Sequence, residues 1–221
     1  MSDDDFFGPV PDPPPEPPRP VQPEWFGPPT GTLPGVVPLE LVLARSAVAA
    51  VGITRVSAYP TGFEFDLLTV TVADADEDLD PHMMGMRRRR ARRCGGDTQL
   101  RLGVQFSDGA KATNVGAAPG FAGRDEKPSA PVLHPQGGGG GPGSWRLGFW
   151  VWPLPPPGPL AFVCEWPAAS IPVTRHEIDA QLVLDASARA QEMFPPGTPS
   201  RPGAHAVTFG LTAQTLVRDD G

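Results

Sequence analysis

The chain has almost no cysteine, no long apolar run and no excess of positive charge. Each shortage excludes something. Cys94 and Cys164 are too few for a disulfide framework, and no CxxC occurs, so a reducing, cytoplasmic setting is expected. No window approaches the roughly 20 apolar residues of a membrane span. The N-terminal MSDDDFFGPV lacks the basic and apolar regions of a signal peptide. The net charge of −7 does not suit a duplex-DNA binder, because that binding rests on neutralising phosphates.

Chemical signatures are missing as well. None of His82, His134, His176 and His205 sits in HExxH or at metal-finger spacing. There is no GxSxG, and the glycines at 137–141 lack the GK[ST] ending of a phosphate loop, so they read as a flexible spacer. The alternating acids from Asp74 to Asp80 begin like a calcium loop. Leu79 then stands where Gly is needed and Gly85 where the bidentate Glu is needed. No catalytic residue, metal ligand or cofactor is expected.

What the chain has in quantity is proline and glycine, 31 and 26 residues among 221. That level without a period means low-complexity appendages around one modest domain. Residues 1–35 form a Pro-rich acidic tail, expected to be disordered with polyproline II character in PDPPPEPPRP. Residues 195–221 read as a mostly irregular tail, with one weak strand near Val207–Leu211.

Between them, residues 36–194 carry alternation. Phe63, Phe65 and Leu67 share one parity and Leu68, Val70 and Val72 the other, which suggests a β-bulge at Leu67-Leu68. Leu100, Leu102, Val104 and Phe106 alternate with polar residues and Gly103, and Ser107-Asp108-Gly109 signals a tight turn into a return strand at Lys111. The richest stretch is SWRLGFWVWPLPPPGPLAFVCEW, Ser144 to Trp166. Trp145, Leu147, Phe149 and Val151 fall on one face and Trp150 and Trp152 on the other. Leu160, Phe162, Cys164 and Trp166 repeat the pattern, so the two runs read as a β-hairpin with Trp145 and Phe162 as core anchors. Thr174 and Glu177 read as a capping box. Ile178, Leu182, Ala186, Ala190 and Met193/Phe194 then recur at helical spacing, predicting an amphipathic helix of about five turns up to Pro195. The expected fold is therefore all-β: an antiparallel β-sandwich of immunoglobulin-like architecture, with one C-terminal amphipathic helix and a long charged loop inserted at 74–99.

The motif GSWR…FWVWPLPPPGPL.FVCEWP followed by IP.TR.EID…ASARAQEMFP resembles uncharacterised proteins of high-GC Gram-positive bacteria. The resemblance covers roughly Val37 to Phe194. It supports the domain boundaries and implies no chemistry.

Two features are candidates for binding. An acid, two aromatics, Gly and Pro occur twice in the N-terminal tail, as Asp5-Phe6-Phe7-Gly8-Pro9 and Glu24-Trp25-Phe26-Gly27-Pro28. Phe6, Phe7, Trp25 and Phe26 pack on this protein's own sheet, recur by chance in a biased segment, or form a pair of linear motifs that contact a partner. Trp150 and Trp152 are core if the C-terminal helix covers their face and a contact patch if it does not. The second feature is the anion candidate Arg87, Arg88, Arg89, Arg90, Arg92 and Arg93. An acidic run lies just upstream and no aromatic is interleaved for base stacking, so this segment reads first as a solvated polyampholyte loop. Three functions are compatible with these residues. A non-enzymatic protein–protein interaction module comes first. A weak nucleic-acid or anion-binding accessory protein using the Arg loop comes second, and an enzyme whose site is not visible in sequence third.

Overall fold

Alternating inward side chains, paired strand against strand, build most of the described part of this protein. The computed structural model describes residues 22–72, 99–115 and 127–194. Among the described residues the fold is mostly β-strand, every pairing is antiparallel, and there is one α-helix besides a short 3-10 turn at Pro167–Ala169. In chain order the first strands are β1 (Thr32–Leu33), β2 (Gly35–Val37), β3 (Leu41–Arg45), β4 (Ala49–Ala58) and β5 (Phe63–Thr71). After the charged stretch come β6 (Arg101–Gln105), β7 (Lys111–Thr113), β8 (Val132–Gly141), β9 (Ser144–Trp152) and β10 (Pro159–Trp166). The chain closes with β11 (Ile171–Asp179), the helix α1 (Gln181–Ala188) and β12 (Gln191–Glu192).

A six-stranded sheet has the order β2-β4-β5-β9-β8, with β3 also on β4. A four-stranded sheet has the order β11-β10-β6-β7, and β1 pairs with β12. One apolar cluster draws from both larger sheets: Phe63, Phe65, Phe149 and Val151 from the first, Leu102, Val104, Leu160, Phe162 and Cys164 from the second. Phe65 stacks on Phe149 at 5.5 Å and meets Phe162 edge-on at 5.3 Å, so one ring joins the two sheets.

Several expectations from sequence hold. Leu100, Leu102, Val104 and Phe106 are all buried. Gly109 adopts φ 86° at the tight turn, and Phe106 N donates to Ala110 O to lead into β7. Pro60-Thr61-Gly62 turns β4 into β5, with Tyr59 N donating to Gly62 O.

Others are corrected. The aromatic runs are not a hairpin: β9 pairs with β5 and β8, whereas β10 pairs with β6 and β11. Two alternating strands look alike whether they pair with each other or with others, and Pro153–Gly158 carries the chain from one sheet to the next. Trp145 is only half-buried, while Phe162 is fully buried. No phase flip occurs at Leu67-Leu68. Phe63, Phe65, Leu67 and Thr69 all point inward, and the register shift lies in the neighbouring strand, between Ile53 and Arg55. Thr69 is tolerated inside because its hydroxyl donates to Trp145 O. The glycines at 137–141 are not a spacer but the second half of edge strand β8. A Cβ on Gly138 or Gly140 would press into the main chain of β9, so glycine is what allows that pairing.

The expected five-turn helix is strand as far as Asp179 and helix only over Gln181–Ala188. Residues 171–179 pair with β10, turning Thr174, His176 and Ile178 inward and Val173, Arg175, Glu177 and Asp179 outward. Thr174 does not cap a helix; its hydroxyl donates to Cys164 O across the sheet. Helical and strand periods coincide over so few positions, and the open edge of β10 decides in favour of strand. α1 begins only after its cap Ala180 and buries the predicted Ala186 together with Val183, whereas the predicted Leu182 is exposed. Met193 and Phe194 are exposed. α1 lies on β2 so closely that a Cβ on Gly35 would fall into the Ala186 carbonyl. Ser187 Oγ donates to Tyr59 O and Arg189 to Val36 O, fixing the helix to β2 and to the end of β4.

A candidate peptide cradle on the six-stranded sheet

Composition places residues 1–35 in a disordered tail, yet residues 22–35 pack on the fold. Opposed residues in an antiparallel sheet share a face. Glu64 opposes Trp150, which opposes His134, and Val132 opposes Trp152. These side chains therefore stand together on the face of the six-stranded sheet that points away from the main core. Tyr59, Val132, Trp150 and Trp152 form a second buried apolar cluster there, with Trp25 packed against it. Helix α1 does not cover this face. Glu24-Trp25-Phe26-Gly27-Pro28 does.

The contacts are specific. Trp150 is fully buried, meets Tyr59 edge-on at 5.6 Å, and donates its indole N–H to the main-chain carbonyl of Glu24 at 3.0 Å. Gln136 Nε2 donates to the main-chain carbonyl of Phe26 at 2.9 Å. Trp25 meets Trp152 edge-on at 6.1 Å, and Phe26 lies 4.3 Å from the His134 ring. Lys127 Nζ stands 5.1 Å above the Trp152 ring and 3.2 Å from Glu24 Oε1, so one ammonium serves ring and carboxylate. Phe26 N donates to Pro23 O, which closes residues 23–26 into a turn. Trp25 Nε1 is buried, and among the described residues nothing accepts its proton. Such a donor costs about 1–3 kcal/mol.

The electrostatics around the cradle are acidic on one side. Tyr59 OH donates to Glu64 Oε1 at 3.1 Å. Burial first, then the Glu64 charge, pushes the phenol well above its ordinary pKa. Arg55 spans Glu64 and Asp66 at 3.3 and 2.9 Å, and its hydrogen bond to Asp66 raises its pKa further. Next to the cradle and sharing Gln136 with it runs an open trough of about 440 Å³, floored by Gly137–Gly140 and Gly148 and walled by Asp66 and Arg146.

The structure thus brings together four of the six aromatic residues singled out for contact: Trp25, Phe26, Trp150 and Trp152. Phe6 and Phe7 lie outside the described residues, as do Arg87, Arg88, Arg89, Arg90, Arg92 and Arg93, together with His82, His205 and Cys94. The sequence reading missed Lys127, His134, Gln136 and Tyr59. Only their adjacency to strand β8 or to a turn signalled them. Of the remaining groups, Cys164 is fully buried, and burial with the nearby Glu165 charge pushes its thiol up to about 12. A thiol so neutral is not a nucleophile. His176, which the predicted helix would place in its first turn, lies on β11 instead, is half-buried and donates to Leu43 O. Among the described residues there is no cluster of three or more metal-ligating side chains, and no helix is long and apolar enough to cross a membrane.

No protein-family model matches this chain, and no match was found among curated proteins or among solved structures.

Proposed function

We propose that this chain is a non-enzymatic protein–protein interaction module. In this reading it is a β-sandwich of immunoglobulin-like architecture, working in a reducing cytoplasmic setting. Its outer sheet face binds segments of the form acid–aromatic–aromatic–Gly–Pro. The observation that carries the reading is how Glu24–Pro28 is held. Trp150 and Gln136 donate to its main-chain carbonyls, while Trp152, His134 and Lys127 take its side chains. Main-chain hydrogen bonds supply affinity independent of sequence and ring contacts supply selection, which is how peptide-recognition surfaces work. The occupant is a short, irregular segment rather than a strand of the sheet, so it is held by side chains and not by a ladder.

The test uses the full-length chain with Phe6, Phe7, Trp25 and Phe26 all changed to Ala. A synthetic peptide of residues 22–30 should bind it saturably, with Kd between about 1 μM and 1 mM, and should shift the indole N–H resonance of Trp150. The same peptide with Ala at positions 25 and 26 should not bind. No binding, or equal binding of the two peptides, overturns the reading.

A further inference from the structure

We propose that the cradle has a second occupant within the same chain: Asp5–Pro9 docks on the outer sheet face in exchange with Glu24–Pro28. This rests on the cradle being a peptide site and adds which peptide it takes.

The two hydrogen bonds that hold Glu24–Pro28 end on main-chain carbonyls, those of Glu24 and Phe26. Any sequence provides such acceptors, so Asp5 and Phe7 provide them too. The remaining contacts ask for an acid beside Lys127, a ring edge-on to Trp152 and a ring against His134. Asp5, Phe6 and Phe7 supply those in the same order, and Gly8-Pro9 repeats Gly27-Pro28. Gly27 is buried, and a Cβ there would meet the side-chain amide of Gln22 first and that of Gln136 at 3.2 Å, so glycine lets the segment sit close to both, and the same residue follows the rings in the other copy.

The copies differ at one ring, and the difference cuts both ways. Trp25 covers more of Trp152, but its indole N–H is buried with no acceptor among the described residues. Phe6 covers less and carries no donor to strand. Neither copy has a decisive advantage. Both are tethered to the same cradle, so each competes at the millimolar-range effective concentration of an intramolecular link. With Asp5–Pro9 docked, residues 10–31 lead back to β1 at Thr32, a far longer path than the Pro28-to-Thr32 link it replaces. The consequence is that one aromatic copy is always undocked.

The experiment compares full-length variants labelled with 5-fluorotryptophan. Fluorine shifts, and their change between H2O and D2O, report solvent exposure at Trp150 and Trp152. In Trp25→Ala/Phe26→Ala both rings should stay shielded from solvent, because Phe6 and Phe7 take the cradle. Adding Phe6→Ala and Phe7→Ala should expose both. If the double and quadruple variants are equally exposed, the exchange is wrong. The peptide of residues 22–30 is then added to the quadruple variant. Restored shielding leaves the peptide-binding reading standing and refutes only the second occupant; no restoration refutes both. Should Trp25→Ala/Phe26→Ala not fold, Phe26→Ala is compared with Phe6→Ala/Phe7→Ala/Phe26→Ala by the same fluorine shifts. Greater exposure in the triple variant then supports the exchange, and equal exposure refutes it.

Discussion

His176 Nε2 lies 2.8 Å from the main-chain oxygen of Leu43, so an imidazole of β11 in the four-stranded sheet donates to β3 of the six-stranded one. Both belong to edges of their sheets, and this bond ties one edge to the other. A half-buried hydrogen bond of this kind contributes about 0.5–1.5 kcal/mol, and removing the donor leaves a carbonyl to be resolvated. His176→Ala should lower unfolding free energy by about 1–2 kcal/mol, seen as a lower urea midpoint with unchanged slope. An unchanged midpoint would mean that the two edges are held by apolar contact alone.

Phe162 and Trp145 are equal candidates for the core by sequence, but only Phe162 is fully buried, with its ring edge against Phe65. Phe162→Ala should cost about 3–5 kcal/mol, a large share of the roughly 5–15 kcal/mol that holds a domain together. Trp145→Ala should cost clearly less. Thermal melts of the two variants rank them, and a larger loss from Trp145 would reverse the assignment.

The Cys164 thiol has an ordinary value of 9.0 and is pushed up to about 12 in the fold. Folding therefore favours the neutral form. The sign follows: the contribution is fully present below about pH 9 and is lost as pH rises toward 12, where the unfolded chain gives up its proton and the folded one keeps it. Tyr59 is shifted in the same direction. Urea midpoints should fall between pH 8 and pH 11, and Cys164→Ala should flatten part of that decline. A decline of the same slope in the variant would assign it to other groups. At pH 8 a thiol reagent should leave Cys164 unmodified until the protein unfolds.

Arg87–Arg93 lie outside the described residues, and the expectation for them rests on charge alone. Six guanidiniums opposed by an adjacent acidic run and a net charge of −7 should give weak, sequence-independent oligonucleotide binding at low salt. It should vanish near 0.15 M ionic strength, where the Debye length is about 8 Å. Filter binding across a salt series checks this. Tight binding at physiological salt that is lost when Met86–Arg93 is deleted would make anion recognition the leading function.

Where each residue's own period decides its placement, the sequence is readable. Leu100 to Phe106 alternates and is followed by a turn tripeptide, and the structure has that strand and that turn. Where the outcome depends on a partner strand, it is not. Val173 to Asp179 fits a helix or a strand by pattern and becomes a strand because β10 offers an edge. Gly137–Gly141 has poor strand propensity, yet pairs because the absence of Cβ atoms lets β9 approach. The cradle is half legible. The repeated aromatic motif and the outward parity of Trp150 and Trp152 are visible, but not that one packs on the other, since they are joined by no local signal. Their contact spans a sequence separation of 126 residues.

That separation sets an order of events. During synthesis Glu24–Pro28 leaves the ribosome long before Trp150 and Trp152, so the cover already waits when β9 emerges, and the aromatic face need not meet other nascent chains bare. In refolding from denaturant the same contact demands closure of a very long loop, so the sheet assembles first and its two tryptophans are screened late. The same segment is thus at hand before its face exists during synthesis and joins it last in refolding.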